Sequence, residues 1–203
     1  TGKDWQHGLL MVTPPMDKDL YDKRDRDITY IIDTSGSMGG ESITQAKKAL
    51  RKALTRLSIA DTFNIIEFNS TANSLFNKSV PATLEAIDKA DEFIAGLEAY
   101  GGTEMMPALE MALGSTDEGN NERLQQIVFI TDGAVEQEEK LFKLINNQLG
   151  ERRLFTVAIG SAPNAYFMRK AAQFGRGSYT FIGDVEEVSE KMNQLFSKME
   201  QVV

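Results

Sequence analysis

Ile28-Thr-Tyr-Ile-Ile-Asp33-Thr-Ser-Gly-Ser-Met-Gly-Gly40 joins an apolar run to a stretch of small oxygen-bearing residues. Ile28–Asp33 reads as a buried strand. Asp33 to Gly40 then offers one carboxylate, three hydroxyls and three glycines. A phosphate cradle, a metal site and a plain polar turn all begin this way, and the rest of the chain has to discriminate.

Outward from this point, apolar runs alternate with helical patterns. Ile43, Ala46, Leu50, Ala53, Leu54 and Leu57 share one helical face. Thr62–Phe68 is a second strand, and the turn-rich Asn69–Asn73 returns Ser74–Asn77 as an antiparallel edge. Thr83 stands where it would cap a helix carrying Leu84, Ile87, Ala90, Ile94 and Leu97. A short helix follows Gly101-Gly-Thr103. Leu124–Thr131 is a strand whose solidly apolar second half suits burial on both faces. Further on, the pattern gives a helix over Glu136–Leu149 stopped by Gly150, and a strand over Leu154–Ile159. A helix over Asn164–Phe174, a strand over Ser178–Ile182 and a terminal helix then follow. Asp184 caps that last helix, which bears Val185, Val188, Met192, Leu195 and Met199. Strands separated by helices imply parallel pairing through right-handed crossovers. The expected class is α/β, a Rossmann-like doubly wound, mostly parallel sheet with one antiparallel edge strand and helices on both faces.

Ligands of such sheets sit beyond the carboxyl ends of the strands. Asp33 lies at one such end and Thr131-Asp132-Gly133 at another. A phosphate loop would want a lysine after its glycines, and Asp33 would repel a phosphate. Hard divalent cations take oxygen ligands, and Asp33, Ser35 and Ser37 at alternate positions can turn three oxygens to one side. Asp132 adds a second carboxylate. The bland alternative is a strand-to-helix turn with Ser37 or Ser42 as the helix cap.

The chain has 203 residues, a formal charge of -8 and no cysteine. One sizeable domain fits that length. The acidic balance without a basic stripe argues against nucleic acid. No apolar run approaches the roughly 20 residues that span a bilayer, so no membrane insertion is expected. No signal-peptide pattern opens the sequence, so a mature protein or an excised domain is expected. With His7 the sole histidine, a histidine triad or multi-histidine zinc site has no basis. Asn69-Ser-Thr71 and Asn77-Lys-Ser79 match the N-glycosylation pattern and are given no role.

Asp33-x-Ser35-x-Ser37, Thr103 after two glycines, and Asp132 in Ile-Thr-Asp-Gly together resemble the von Willebrand factor A domain from about Ile28 to Met199. That resemblance implies a metal-ion-dependent adhesion site. Ser35 and Ser37 would bind the ion through their hydroxyls, Thr103 directly or through water, and Asp33 and Asp132 mainly through waters. The ion would be Mg²⁺, with Ca²⁺ or Mn²⁺ as alternatives. Its open position would receive an aspartate or glutamate of a partner protein. Leu9–Pro15 looks like the inter-alpha-trypsin inhibitor heavy chains and their bacterial relatives, which place a β domain ahead of this one. Glu104-Met-Met departs from them where Asp or Asn is frequent.

Residues 1–27 are therefore expected to be a strand and charged linker from a preceding domain, and 28–203 the A domain. The expected function is a non-enzymatic adhesion module, a monomeric piece of a larger extracellular or cell-surface chain. A Mg²⁺-dependent hydrolase and a cytoplasmic assembly factor are the alternatives. Glu136, Glu138 and Glu139 suit the acidic first turn of a helix better than a second cation site. Met105 and Met106 suit the core at least as well as a partner contact.

Overall fold

A computed structural model describes residues 24–114, 123–133, 137–160 and 163–200. The strand expected ahead of the charged linker, together with His7 and Glu136, lies outside them. Among the described residues, seven strands form one sheet: β1 (Arg26–Asp33), β2 (Thr62–Phe68), β3 (Ala72–Ser74), β4 (Val80–Pro81), β5 (Leu124–Thr131), β6 (Arg153–Ile159) and β7 (Arg176–Ile182). Their order is β3-β2-β1-β5-β6-β7, with β4 also on β2. The pairs β1–β2, β1–β5, β5–β6 and β6–β7 are parallel, whereas β3 and β4 run antiparallel to β2. The expected doubly wound architecture is the observed one.

Six α-helices among the described residues cover the sheet: α1 (Glu41–Leu54), α2 (Leu84–Gly96), α3 (Met105–Gly114), α4 (Glu138–Gln148), α5 (Ala165–Phe174) and α6 (Val188–Glu200). Alternation along β1 sends Ile28, Tyr30 and Ile32 into the core under α1, α2 and α6. Ile31 goes to the opposite core, under α3, α4 and α5. Each fully buried Ile, Leu or Phe stabilises the fold by about 1.5–3 kcal/mol, so both faces are needed to hold the sheet between its layers. Thr83 caps its helix as expected, but Asp184 does not cap α6: it accepts from Glu186 N–H at 2.8 Å in a turn, and the helix starts only at Val188. The Thr83 hydroxyl accepts from Ala86 N–H at 3.2 Å, and Asn164 Oδ1 accepts from Phe167 N–H at 3.2 Å.

Three further readings are corrected. The charged loop ends earlier than expected, because Arg26 and Asp27 belong to β1. Arg26 is 3% exposed, and its guanidinium meets Asp61 Oδ2 at 2.6 Å; a charge can be buried here because it is paired. The antiparallel edge is Ala72–Ser74, not Ser74–Asn77. Beyond it, the buried Asn64 side chain takes over from the backbone ladder. Its Oδ1 accepts from Phe76 N–H at 3.1 Å, and its Nδ2 donates to Phe76 C=O at 2.9 Å. Leu84 is 85% exposed at the start of α2, so the buried stripe of that helix is Ala86, Ala90 and Ile94, with Leu97 just past its end.

The chain leaves β1 for β2 on one side, and β5 then joins β1 on the other. The carboxyl ends of β1 and β5 therefore flank the topological switch point, where open α/β sheets form their crevice.

Candidate metal centre

Asp33 ends β1 and is fully buried. Its Oδ1 accepts from Ser35 N–H at 2.8 Å, and its Oδ2 accepts from the Thr131 hydroxyl at 2.6 Å. Thr131 Oγ1 in turn accepts from Gly133 N–H at 3.0 Å. Burial pushes the Asp33 carboxyl above its usual range. Hydrogen bonds from Thr131 and Ser35 pull it back in part, and the charge of Asp132 adds to the rise.

The Ser35 and Ser37 hydroxyls lie 3.0 Å apart, Ser35 buried and Ser37 exposed. Neither caps a helix. The single 3-10 turn Gly36–Met38 has no side-chain cap bond, and α1 starts from Gly40, also without one. The plain-turn reading assigned Ser37 or Ser42 that task; the structure gives it to neither.

Thr103 sits on a loop stitched to β1. Gly36 N–H donates to Gly101 C=O at 3.1 Å, and Tyr100 N–H to Thr34 C=O at 2.9 Å. A second set of bonds comes from the turn after β2. Gly102 N–H donates to the Ser70 hydroxyl at 2.8 Å, and Glu104 N–H to Asn69 C=O at 2.7 Å. Gly101 makes this approach feasible: its φ is +78°, and a Cβ would come within 2.9 Å of Ser70 Oγ. Thr103 is thus held at both neighbours and is half-buried, and its hydroxyl makes no hydrogen bond with a described residue. Asn69 is 5% exposed and bonded within this turn, which makes its glycosylation pattern sterically idle.

Asp132 follows β5, half-buried, with its C=O accepting from Asn164 N–H at 3.3 Å. Next to it, Gly133 has φ +77°, and a Cβ there would lie 2.9 Å from Asn164 N. The structure therefore joins Asp33, Ser35 and Ser37 directly, and brings the Thr103 loop and the Asp132 strand end to the same crevice.

Four positions escaped the sequence reading: Thr34, Asn69, Ser70 and Thr131. Thr131 carried a usable signal, a hydroxyl closing an apolar strand whose neighbour ends in a carboxylate. Met105 is core, 4% exposed, whereas Met106 is half-buried. Glu138 and Glu139 open α4, where they favour the helix dipole, and Glu138 accepts from Asn164 Nδ2 at 2.8 Å. Among the described residues no three His, Cys, Asp or Glu cluster as a cation cage. The donor set at the crevice is instead hydroxyl-rich, a composition that suits a hard cation with retained waters.

The family model of the von Willebrand factor type A domain matches residues 26–181. Inter-alpha-trypsin inhibitor heavy chain H4 of Homo sapiens is 35% identical over 158 residues, covering 72% of this chain and 17% of that protein. A von Willebrand factor A domain-containing protein of Dictyostelium discoideum is 31% identical over 169 residues, covering 83% of this chain and 18% of the relative. The chain thus spans less than a fifth of either. In fold it resembles a von Willebrand factor type A structure from Catenulispora acidiphila (TM-score 0.78, 23% identity, 87% of this chain and 43% of that one). It also resembles manganese-loaded TRAP protein of Plasmodium vivax (TM-score 0.68, 22% identity, 85% and 74%). Proximal thread matrix protein 1 from the mussel byssus, with a zinc-occupied MIDAS motif, has a TM-score of 0.68 at 13% identity (89% and 49%). At these identities the structural likeness speaks for the fold alone.

Proposed function

Because the chain belongs to the von Willebrand factor type A domain family, we propose that Asp33, Ser35, Ser37, Thr103 and Asp132 hold a divalent cation that captures an acidic side chain of a protein partner. Mg²⁺ is the favoured ion, with Ca²⁺ or Mn²⁺ as alternatives. The observation that carries the reading is the pair of convergent, non-capping Ser35 and Ser37 hydroxyls beside the buried Asp33. The donor chemistry fits: neutral hydroxyls next to the ion, with Asp33 oriented by Thr131 and Ser35.

When bound, the ion supplies a positive, Lewis-acidic point that accepts a partner carboxylate. The chain's residues orient and balance it. Asp33 is fixed by two donors and cannot swing, which keeps the serines in register. Thr103, whose hydroxyl makes no hydrogen bond with a described residue, can turn toward the crevice. The proposed role is adhesion or assembly, not catalysis, as a domain of a longer extracellular or cell-surface chain, with residues 1–27 ending a preceding domain. Manganese-loaded TRAP protein and the zinc-occupied MIDAS motif of proximal thread matrix protein 1 illustrate that this fold can hold a divalent cation.

Calorimetric titration of Mn²⁺ and Mg²⁺ into the wild type and the Ser35→Ala variant tests the ion. The variant should lose most of the affinity, and equal affinities would contradict the assignment.

A further inference from the structure

Among the described residues, β7 is the last strand of the sheet and pairs only with β6. Gly160 N–H donates to Ile182 C=O at 3.2 Å, so Ile182 turns its backbone groups toward β6. Alternate residues of a strand face the same way. Thr180 therefore also faces β6, while Tyr179 and Phe181 direct their N–H and C=O groups outward. The side chains of these two are aromatic. Phe181 is 39% exposed, and Tyr179 is half-buried with the Arg169 guanidinium 5.2 Å from its ring centre.

An open edge is a template for another strand, and two features restrict which strand this one accepts. The register slips between Leu154 and Thr156, so regular pairing with β6 resumes only at Tyr179 and the usable edge is short. Its borders are also basic. On the α5 face Arg169 stands over Tyr179. On the other face, the buried stripe of α6 separates two flanks. Glu200 meets Arg56, just past the end of α1, at 2.7 Å, so its flank faces α1. The helical period puts Lys191 and Lys198 on the opposite flank, along β7. The acids nearby, Asp184 and Glu187, stand at the carboxyl end of the strand.

In a chain of formal charge -8 this border runs against the general balance. Cations on both faces keep the β7 edges of two copies apart, because like charges repel. The same cations attract a strand that bears carboxylates. Such a strand gains main-chain hydrogen bonds from Tyr179 and Phe181 and sets its acids near Arg169, Lys191 and Lys198.

We propose that the outer edge of β7 receives an extended, acidic segment of a partner protein as a further strand of the sheet. This edge lies two strands from β5 and the crevice, and the docking needs no metal, so it stands independently of the metal-capture reading.

Hydrogen exchange followed by NMR on the whole chain tests it, with EDTA present so that no carboxylate engages a cation. The probe is a capped hexapeptide of alternating glutamate and valine. A lysine–valine peptide reverses the charge, and a glutamate–proline peptide keeps the charge but lacks the donors and the extended pairing geometry. The glutamate–valine peptide alone should slow exchange at Tyr179 and Phe181, leaving Thr180 and Ile182 as they are. Joint replacement Arg169→Gln and Lys191→Gln should weaken its binding about two- to thirty-fold, the range for two exposed charge pairs. Lys143→Gln, exposed on α4 with α5 between it and β7, should leave binding unchanged. Exchange at Tyr179 and Phe181 that the peptide does not alter, or that is already slow in the free protein, overturns the proposal. Equal protection by the lysine or the proline peptide overturns it as well, as does full affinity in the double variant.

Discussion

The Thr131 hydroxyl donates to Asp33 Oδ2 at 2.6 Å, across the switch point between β5 and β1. One bond thus ties the two strand ends on which the proposed centre depends, and it orients a carboxylate that burial would otherwise drive toward its neutral form.

Removing that hydroxyl should be costly while its conservative replacement is tolerated. Thr131→Val leaves Asp33 short of a donor in a buried setting, which should cost about 1–3 kcal/mol of stability and reduce Mn²⁺ affinity about 10- to 100-fold. Thr131→Ser should restore both. Denaturant unfolding and calorimetry read the two effects, and a valine variant indistinguishable from wild type would contradict the orienting role.

Acid stability should depend on the opposite end of the sheet. Burial alone would raise the Asp61 carboxyl, but hydrogen bonds from Arg26 and the Ser58 N–H more than offset this and hold it below the usual 3.8. A depressed carboxyl stabilises the fold above its unfolded value, and the contribution is lost as pH falls through the folded one. Stability should therefore drop on acidification below about pH 4 in wild type, and less steeply in Asp61→Asn. The asparagine variant should also be weaker at neutral pH by about 3–5 kcal/mol, since Arg26 stays buried without its partner. Identical acid limbs in the two proteins would refute the assignment.

Gly133 should not tolerate a side chain. Its positive φ alone costs about 1–2 kcal/mol for an L-residue, and the close approach of Asn164 adds to that. Gly133→Ala should lower the unfolding midpoint and, by shifting Asp132, weaken Mn²⁺ binding. An unchanged midpoint would show that the Asp132–Asn164 junction can relax freely.

The parallel core was legible because β1 and β5 are buried on both faces and read as near-continuous apolar runs, and because Thr83 and Asn164 mark helix starts chemically. What escaped the reading depends on partners distant in sequence. Arg26 looks like a loop residue until Asp61 neutralises it. The β3 edge was misplaced because an Asn64 side chain stands in for backbone further along the turn. Leu84 fits a helical stripe by spacing, yet as the first residue of α2 it precedes the buried face. At the site, the short motif around Asp33 was readable locally. Thr131, Asn69 and Ser70 matter only through the crossing that brings three loops together.

The central claim is that a cation held among Asp33, Ser35, Ser37, Thr103 and Asp132 binds a partner's carboxylate. Anisotropy of a labelled aspartate peptide tests it most directly, measured in Mn²⁺, after EDTA, after Mn²⁺ is restored, and with Thr103→Ala. Binding should disappear with EDTA, return with Mn²⁺ and fail for a peptide with asparagine in place of the aspartate. It should also be lost in a Thr103→Ala protein that still takes up Mn²⁺. Aspartate-peptide binding that survives EDTA unchanged would contradict the account and place the contact elsewhere on the surface.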